Sequence, residues 1–430
     1  MTGQMAEALT VIEVEALASV AEFGYVGGRD SLRTFCRRVF APGGPRFLRS
    51  EKGELVIFRH ADVRAIAAAP DLSAVAPNLA FPGILAGPKD RPGFAVADLI
   101  TNQLFTSNPP LNPALRRVLL NQIGPKPLQA YADRTRQLAS EALAALPLGA
   151  PVDLVHDLAE PLIGRFWGGL LHLDDTNAVA TAVEARRMTP MLYLRRNAEE
   201  AAQLQTASVA YRALVEAAAA GALVRGGCPF VEGIAADLAE IHLEDDLDHV
   251  GYVPKSAGAF LAGNLFDGFH TAALALSNTL AVLVRHPDVI QGLIDVPETV
   301  GAIVAECLRL ESPVIHLNRY TTGDVQCGKA VIPKGLYVSV MWGAANQDPA
   351  AFPDPERFDV GRPLQGTTTF GGGAHICPGR YAVGLIVKSF VEALVASRLQ
   401  IHPLNDREAW IDNHGMCQLR EMSVVLKASS

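Results

Sequence analysis

The sequence predicts a mainly α fold with a small β portion, gathered into one large domain. Three observations carry that reading. Apolar residues recur at three and four through several long stretches, one short segment alternates around a turn signal, and no internal repeat or low-complexity linker interrupts the 430 residues. Length alone would suit two or three domains. Without a linker, residues 1–430 read as one domain with a flexible N-terminus over about residues 1–20. Hydrophobic content of 49% against 19% charged supplies a large core and is too apolar for disorder.

In chain order, the N-terminal residues mix glutamates with apolar residues and lack both a basic start and a long apolar run, so neither a signal peptide nor a membrane anchor is expected. Helical periodicity marks 132–146, 161–173, 197–224 and 297–310. The longest mostly apolar stretch, 257–284, carries Asn264, Asp267, His270 and Asn278, which suits a buried helix better than a bilayer span. Residues 325–341 alternate and hold a turn signal at 332–335, reading as a small strand pair. Residues 345–369, rich in Pro, Asp and Gly, read as irregular.

A net charge of −8 gives no global basic field for nucleic acid, and the cytosol is the default location. The six cysteines (Cys36, Cys228, Cys307, Cys327, Cys377 and Cys417) include no C-x-x-C pair, which excludes the common zinc and thioredoxin spacings. Free, buried and inert is the expectation for most of them.

Cys377 is the exception. Residues 370–380 read Phe-Gly-Gly-Gly-Ala-His-Ile-Cys-Pro-Gly-Arg, followed by an apolar helical run from Tyr381. Glycines let a backbone approach a flat ligand, and Pro378 suits the first position of a helix. The N–H groups at such a helix start can lower a cysteine pKa from about 8.5 to roughly 3.5–7.5. A thiolate there suits ligation of haem iron. Taken alone, the segment also reads as a glycine-rich turn with a buried cysteine; a phosphate loop is disfavoured because no Lys-Ser/Thr follows.

The pattern Phe370-x-x-Gly373-x-His375-x-Cys377-x-Gly379 resembles the full haem-binding signature of the cytochrome P-450 family, and further segments extend the resemblance over nearly the whole chain. Glu306-Cys307-Leu308-Arg309 is similar to its E-x-x-R helix motif. Pro355-Glu356-Arg357-Phe358 is similar to its P-x-R-F segment, which implies that Arg357 joins the Glu306–Arg309 network. Asn346-Gln347-Asp348-Pro349 also fits. The resemblance implies a P-450 fold enclosing haem b, with Cys377 as axial iron ligand and Phe370, Gly371 and Gly379 lining the cofactor. It assigns the haem propionates to His375, Arg319 and Arg116. Asn112 stands where the family usually has a histidine, leaving either a weaker propionate contact or none.

Family members activate dioxygen beneath a helix that carries small-Gly-x-acid-Thr. The matching residues are Asp267-Gly268-Phe269-His270-Thr271, so His270 replaces the acid. Thr271 is expected to position a proton donor; the alternative is a hydroxyl bonding back to a helix carbonyl. His270 reads either as a relay or as a core residue. Asp267 lies four residues before Thr271 on the same helix side, so Asp267 and His270 together are expected to replace the missing acid.

By resemblance, substrate contacts come from residues 82–105, from Phe266 and its neighbours, and from 314–317. Phe94, Leu99, Phe105, Val314 and Ile315 make these regions apolar, which suits a small hydrophobic or aromatic substrate. His316 is a polar exception, able to recognise a substrate oxygen but expected as a solvent-exposed loop residue. No flavin or nicotinamide fingerprint is present, so electrons are expected from NAD(P)H through a separate ferredoxin and its reductase. Arg117, Lys126 and Arg380 are expected to form the docking patch. The function implied is an oxygen-inserting monooxygenase. A peroxide-driven peroxygenase or oxidative coupling enzyme, and a haem protein that binds a ligand without turnover, are the alternatives.

Overall fold

The apolar stretch at 257–284 becomes the axis of the protein. In a computed structural model, which describes residues 9–428 apart from 81–83, 86, 90, 92, 244–249, 294–295 and 405–407, it is one helix, Ala257–Arg285. Ser256 starts it by accepting from the Ala259 N–H, and most of its apolar side chains are buried all round, as a core helix requires. Part of the 82–105 segment and the first residues of the chain lie outside the described residues.

The helices used below are α1 (Arg29–Val39), α2 (His60–Ala67), α3 (Phe94–Thr101), α4 (Leu111–Ile123), α5 (Ala132–Ala144), α6 (Glu160–Leu170), α7 (Asp175–Arg187), α8 (Ala198–Arg225), α9 (Ala257–Arg285), α10 (Val300–Leu310) and α11 (Arg380–Ser397). Their apolar faces form one cluster around α9, with α6, α8, α10 and α11 against it. The sequence places the start of α8 well, because Asn197 and Glu200 make a reciprocal capping box. Gly268 lets α9 pass close to α6: a Cβ there would lie 3.0 Å from the Trp167 indole.

A smaller β portion packs beside the helices. Strands β1 (Leu48–Arg49), β2 (Leu55–Ile57), β3 (Leu72–Ala74), β4 (Leu317–Thr321) and β7 (Tyr337–Val340) form a five-stranded sheet in the order β1-β2-β7-β4-β3. Strands β5 (Val325–Cys327) and β6 (Ala330–Ile332) pair as a hairpin that turns at Gly328 and Lys329. The expected turn at 332–335 therefore does not join a strand pair. It carries the chain from the hairpin into β7, which pairs with β2 and β4. Arg319, on β4, sits opposite Val338.

Helix α11 begins at Arg380, so Pro378 precedes the helix instead of opening it. Residues 346–372 hold no strand or helix and wrap past the C-terminal end of α10.

Candidate functional site

The scaffold of the site is a buried ion pair. Arg309 and Glu306 are both fully buried on α10 and bond twice, at 2.7 and 2.9 Å. Such a pair is tolerable only if its remaining donors and acceptors are filled. Arg309 donates to the carbonyls of Asn346 (2.8 Å) and Pro355 (2.9 Å), while Glu306 accepts from the Asp359 N–H (3.1 Å) and from Arg362 Nε (3.1 Å). Arg357, expected in this network, instead points to solvent beside Asp354 and Asp359. Arg362 takes its place because the turn at 359–362 folds the later arginine back, where its guanidinium also caps the carbonyls of Pro353, Asp354 and Arg357.

Asn346 carries that order to the cysteine loop. Its side chain donates to Ser312 Oγ (2.7 Å) and Thr369 Oγ1 (3.0 Å) and accepts from the Thr368 N–H (2.7 Å). Phe370 follows directly, and its carbonyl accepts the Cys377 N–H at 2.9 Å. Gly373 (φ +61°) presses on α2 so closely that a Cβ would stand 1.7 Å from the Ala67 carbonyl oxygen. Gly371 (φ +74°) has its Cβ direction open, and Gly379 leaves room beside Cys377 Sγ, 3.6 Å from where its Cβ would be. The sequence motif is thus a loop shaped by backbone contacts on both sides.

Cys377 is half-buried, whereas the other five cysteines are buried. Burial pushes its thiol above the usual value; the Gly379 N–H pulls it down, Asp267's charge raises it, and the Arg380 N–H and charge pull it down again. The net direction is upward, contrary to the expectation of a thiolate held by the helix start alone. A cationic metal is the partner that would make the thiolate form favourable.

Three basic groups gather beside this loop. Arg116, on α4, donates to the Ile376 carbonyl at 2.5 Å but leaves its buried Nε without a partner. His375 has an unpartnered buried Nδ1, and burial followed by the charges of Arg319 and Arg116 lowers its pKa to about 3. Arg319 is 5% exposed, bonds among the described residues to the neighbouring Asn318 carbonyl, and is lowered to about 10 by desolvation. No carboxylate answers these groups among the described residues. Buried cations without counter-ions are costly, so the arrangement fits an absent ligand bearing two carboxylates, such as haem with its propionates. Asn112 is not part of it: its amide donates to the Leu104 and Ser107 carbonyls, both at 3.2 Å, and its side chain closes the turn into α4.

On the opposite side, α9 presents two different faces. Thr271 Oγ1 donates to the Asp267 carbonyl at 2.7 Å, the helix back-bond that was the alternative reading. Asp267 is half-buried, yet desolvation raises its carboxyl from 3.8 to about 7. His270 is turned elsewhere. Its ring stacks on Phe266 (5.8 Å, 16°), sits 6.4 Å from the His414 ring, and places Nε2 3.4 Å from Thr189 Oγ1. It also lines a small cavity with Arg186, Glu160 and Gln418. Desolvation, then the charge of His414, lowers it to about 3, so it is neutral. The structure does not bring Asp267 and His270 together.

The expected pocket residues divide. Leu99 and Ile315 are buried, and Val314 is half-buried and bridges to Met416. Phe94 is half-buried at the start of α3. Phe266 is engaged between His270 and Tyr211, and Phe105 is exposed. His316 is not in solvent: it packs edge-on to Tyr25, lies 3.3 Å from Ser339 Oγ and is lowered to about 4 by burial. Tyr211 and His414 were missed, because an isolated tyrosine in a helical run and an isolated histidine in the polar segment Asp412-Asn413-His414-Gly415 carry no sequence signal. Of the expected docking cations, Arg117 and Lys126 are exposed, while Arg380 is half-buried and bonded to the Cys377 carbonyl and the Tyr381 hydroxyl.

Comparisons with known proteins bear on the family and the fold. A family model described as Cytochrome P450 matches residues 298–414. Cytochrome P450 107B1 of Saccharopolyspora erythraea is 30% identical over 324 residues, covering 73% of this chain and 75% of that protein. Beta-dihydromenaquinone-9 omega-hydroxylase of Mycobacterium tuberculosis is 27% identical over 326 residues, and the match spans 75% of this chain but only 64% of that longer relative. Among solved structures, the crystal structure of CalO2 superimposes with a TM-score of 0.78 at 23% identity, covering 93% of this chain and 98% of that one. The chain belongs to the cytochrome P450 family, whose cofactor is haem, and has its fold.

Proposed function

We propose that this protein is a haem-thiolate monooxygenase that inserts one oxygen atom from dioxygen into a hydrophobic substrate. The observation that carries the reading is the gathering of Arg116, Arg319 and His375, without a carboxylate partner among the described residues, around the half-buried Cys377 loop. Haem b, held by Cys377 with its propionates against those groups, would supply the dioxygen chemistry.

The chain's own residues then have separable tasks. The Glu306–Arg309–Arg362 knot and Asn346 hold the loop rigid. Apolar walls from Leu99, Val314 and Ile315 exclude water and orient the substrate. Asp267, with its carboxyl near 7, holds a proton one helical turn from Thr271, whose hydroxyl can pass it on after releasing the Asp267 carbonyl. His270, on the other face, is left with a supporting part through Thr189.

Several relatives support an oxygenase reading by name: linalool 8-monooxygenase of Pseudomonas putida is 25% identical over 329 residues. Electrons from NAD(P)H would arrive through a ferredoxin and its reductase, docking at Arg117 and Lys126, in the cytosol.

The test is the reduced carbon monoxide spectrum of purified protein, followed by a ferric spin-state titration with terpenoids, aromatics, steroids and fatty acids. A thiolate-type band in the wild type that Cys377→Ala abolishes supports the reading. A haem-free protein, or a band untouched by that change, overturns it.

A further inference from the structure

The cavity that His270 lines has a volume of about 20 Å³. One water needs about 10–15 Å³ and a few polar partners, so the space suits a single molecule. Neither Asp267 nor Thr271 borders it. Its walls come from separate pieces of chain: Val155 in a wide π-helical turn (Leu154–Ala159), Glu160 on α6, Arg186 on α7, His270 and Ser277 on α9, and Gln418 near the C-terminus. The Arg186 side chain is 37% exposed, which links the cavity to the surface. It donates to His156 Nδ1 at 2.9 Å and lies, through Nε, 3.4 Å from Glu160 Oε2.

Two buried acceptors end here without a partner. His270 is 5% exposed and Gln418 7%, and neither His270 Nδ1 nor Gln418 Oε1 has a hydrogen bond. Thr189 fixes which nitrogen of His270 carries the hydrogen. The Thr189 hydroxyl donates its one hydrogen to the Arg186 carbonyl at 2.6 Å, so toward His270 Nε2, 3.4 Å away, it only accepts. Nε2 therefore bears the hydrogen, and in a neutral ring Nδ1 is a bare acceptor. Ser277 Oγ spends its own hydrogen on the Leu274 carbonyl at 3.2 Å and offers only lone pairs. A water has two hydrogens to give and lone pairs for an Arg186 N–H.

We propose that this cavity is a binding site for one ordered water, which donates to His270 Nδ1 and Gln418 Oε1 and accepts from Arg186. The water joins α7, α9 and the C-terminal segment, and holds His270 as the Nε2–H tautomer that faces Thr189. His270 is then a positioning residue of a hydration site set apart from Asp267 and Thr271. The site belongs to the polypeptide and does not depend on the haem-thiolate reading.

A crystal structure of the full-length protein that places ordered waters is the first test. The expected oxygen lies within about 2.6–3.2 Å of both His270 Nδ1 and Gln418 Oε1. Nitrogen NMR of histidine-labelled protein, with His270→Phe to assign the signal, should report the Nε2–H tautomer. No water in the cavity, a direct bond from the Gln418 amide to Nδ1, or an Nδ1–H tautomer would each overturn the proposal. Thermal melting supplies a second test. His270→Phe and Gln418→Leu each strand the other acceptor and should each lower the melting temperature by about 2 °C or more. The double variant removes both acceptors, so its loss should be clearly smaller than the two single losses added together. Fully additive losses contradict a shared water. If a variant does not fold, the wild-type structure decides.

Discussion

Arg362 closes on Glu306, with Nε 3.1 Å from Oε1, while Arg357, five residues earlier, stays at the surface. The two arginines share a chemistry and differ in burial: the Arg362 side chain is 5% exposed and that of Arg357 is 65% exposed. Arg362→Ala leaves part of a buried carboxylate uncompensated and is expected to cost about 3–5 kcal/mol. Arg357→Ala should change stability by about 0.5 kcal/mol or less. Denaturant titration of the two variants checks this, and similar losses in both would contradict the assignment.

The cysteine loop gives a second contrast. Gly373→Ala would force a Cβ into the Ala67 carbonyl, whereas Gly371→Ala meets nothing closer than the His375 carbonyl at 3.9 Å. Both glycines have positive φ, so Gly371→Ala should cost about 1–2 kcal/mol from backbone strain alone. Gly373→Ala should cost more and also shift the loop off α2. Haem content after purification is the readout, expected to fall in the Gly373 variant and to stay near wild type in the other.

Acid should loosen the junction of α1, α9 and α10. Arg29, Arg33 and Arg285 all bond to the buried Glu311 carboxylate. Burial alone would raise its pKa, but the bonds and charge of Arg29, with the charges of Arg33 and Arg285, hold it at about 2 against a usual 4.5. A depressed carboxyl contributes stability above its unfolded value and loses it as pH falls toward the folded one. The wild type should therefore lose this contribution between about pH 4.5 and pH 2. Glu311→Gln should be less stable at pH 7, by about 3–5 kcal/mol, and show a smaller dependence on pH in that window. An unchanged acid limb in the variant would be the contrary result.

Asp267 carries the opposite sign. Its raised carboxyl favours folding below the usual 3.8, and that contribution fades as pH rises toward about 7. Asp267→Asn should therefore raise the melting temperature of the ligand-free protein at pH 8 and change it little at pH 4.

Coupling of electron use to product separates the two faces of α9. With a neutral substrate, Asp267→Asn and Thr271→Ala are expected to lower coupling, by up to about 10²-fold if the proton step becomes limiting. His270→Ala should act weakly, because its ring faces Thr189 and His414. Wild-type coupling in Asp267→Asn would remove it from proton delivery.

Much of this protein is local and therefore legible in the sequence. Periodicity located α5, α6, α8, α9 and α10, since an amphipathic or all-apolar repeat is a property of neighbouring residues. The cysteine loop was legible for the same reason: its glycines, His375 and Cys377 act over a few consecutive residues. The Glu306–Arg309 pair is likewise three residues apart on one helix. What the sequence could not decide was every choice between equivalent residues made by distant chain. Arg362 over Arg357 depends on a turn folding back onto α10, and the membership of β7 depends on strands near residues 55 and 318. The direction of each α9 side chain depends on what packs there. Asp267 was left half-buried without a hydrogen-bond partner among the described residues and His270 was buried against Thr189, and desolvation reversed the usual ranking of their proton affinities, to about 7 for the acid and about 3 for the imidazole. Desolvation belongs to the assembled environment, so only the tertiary structure could assign it.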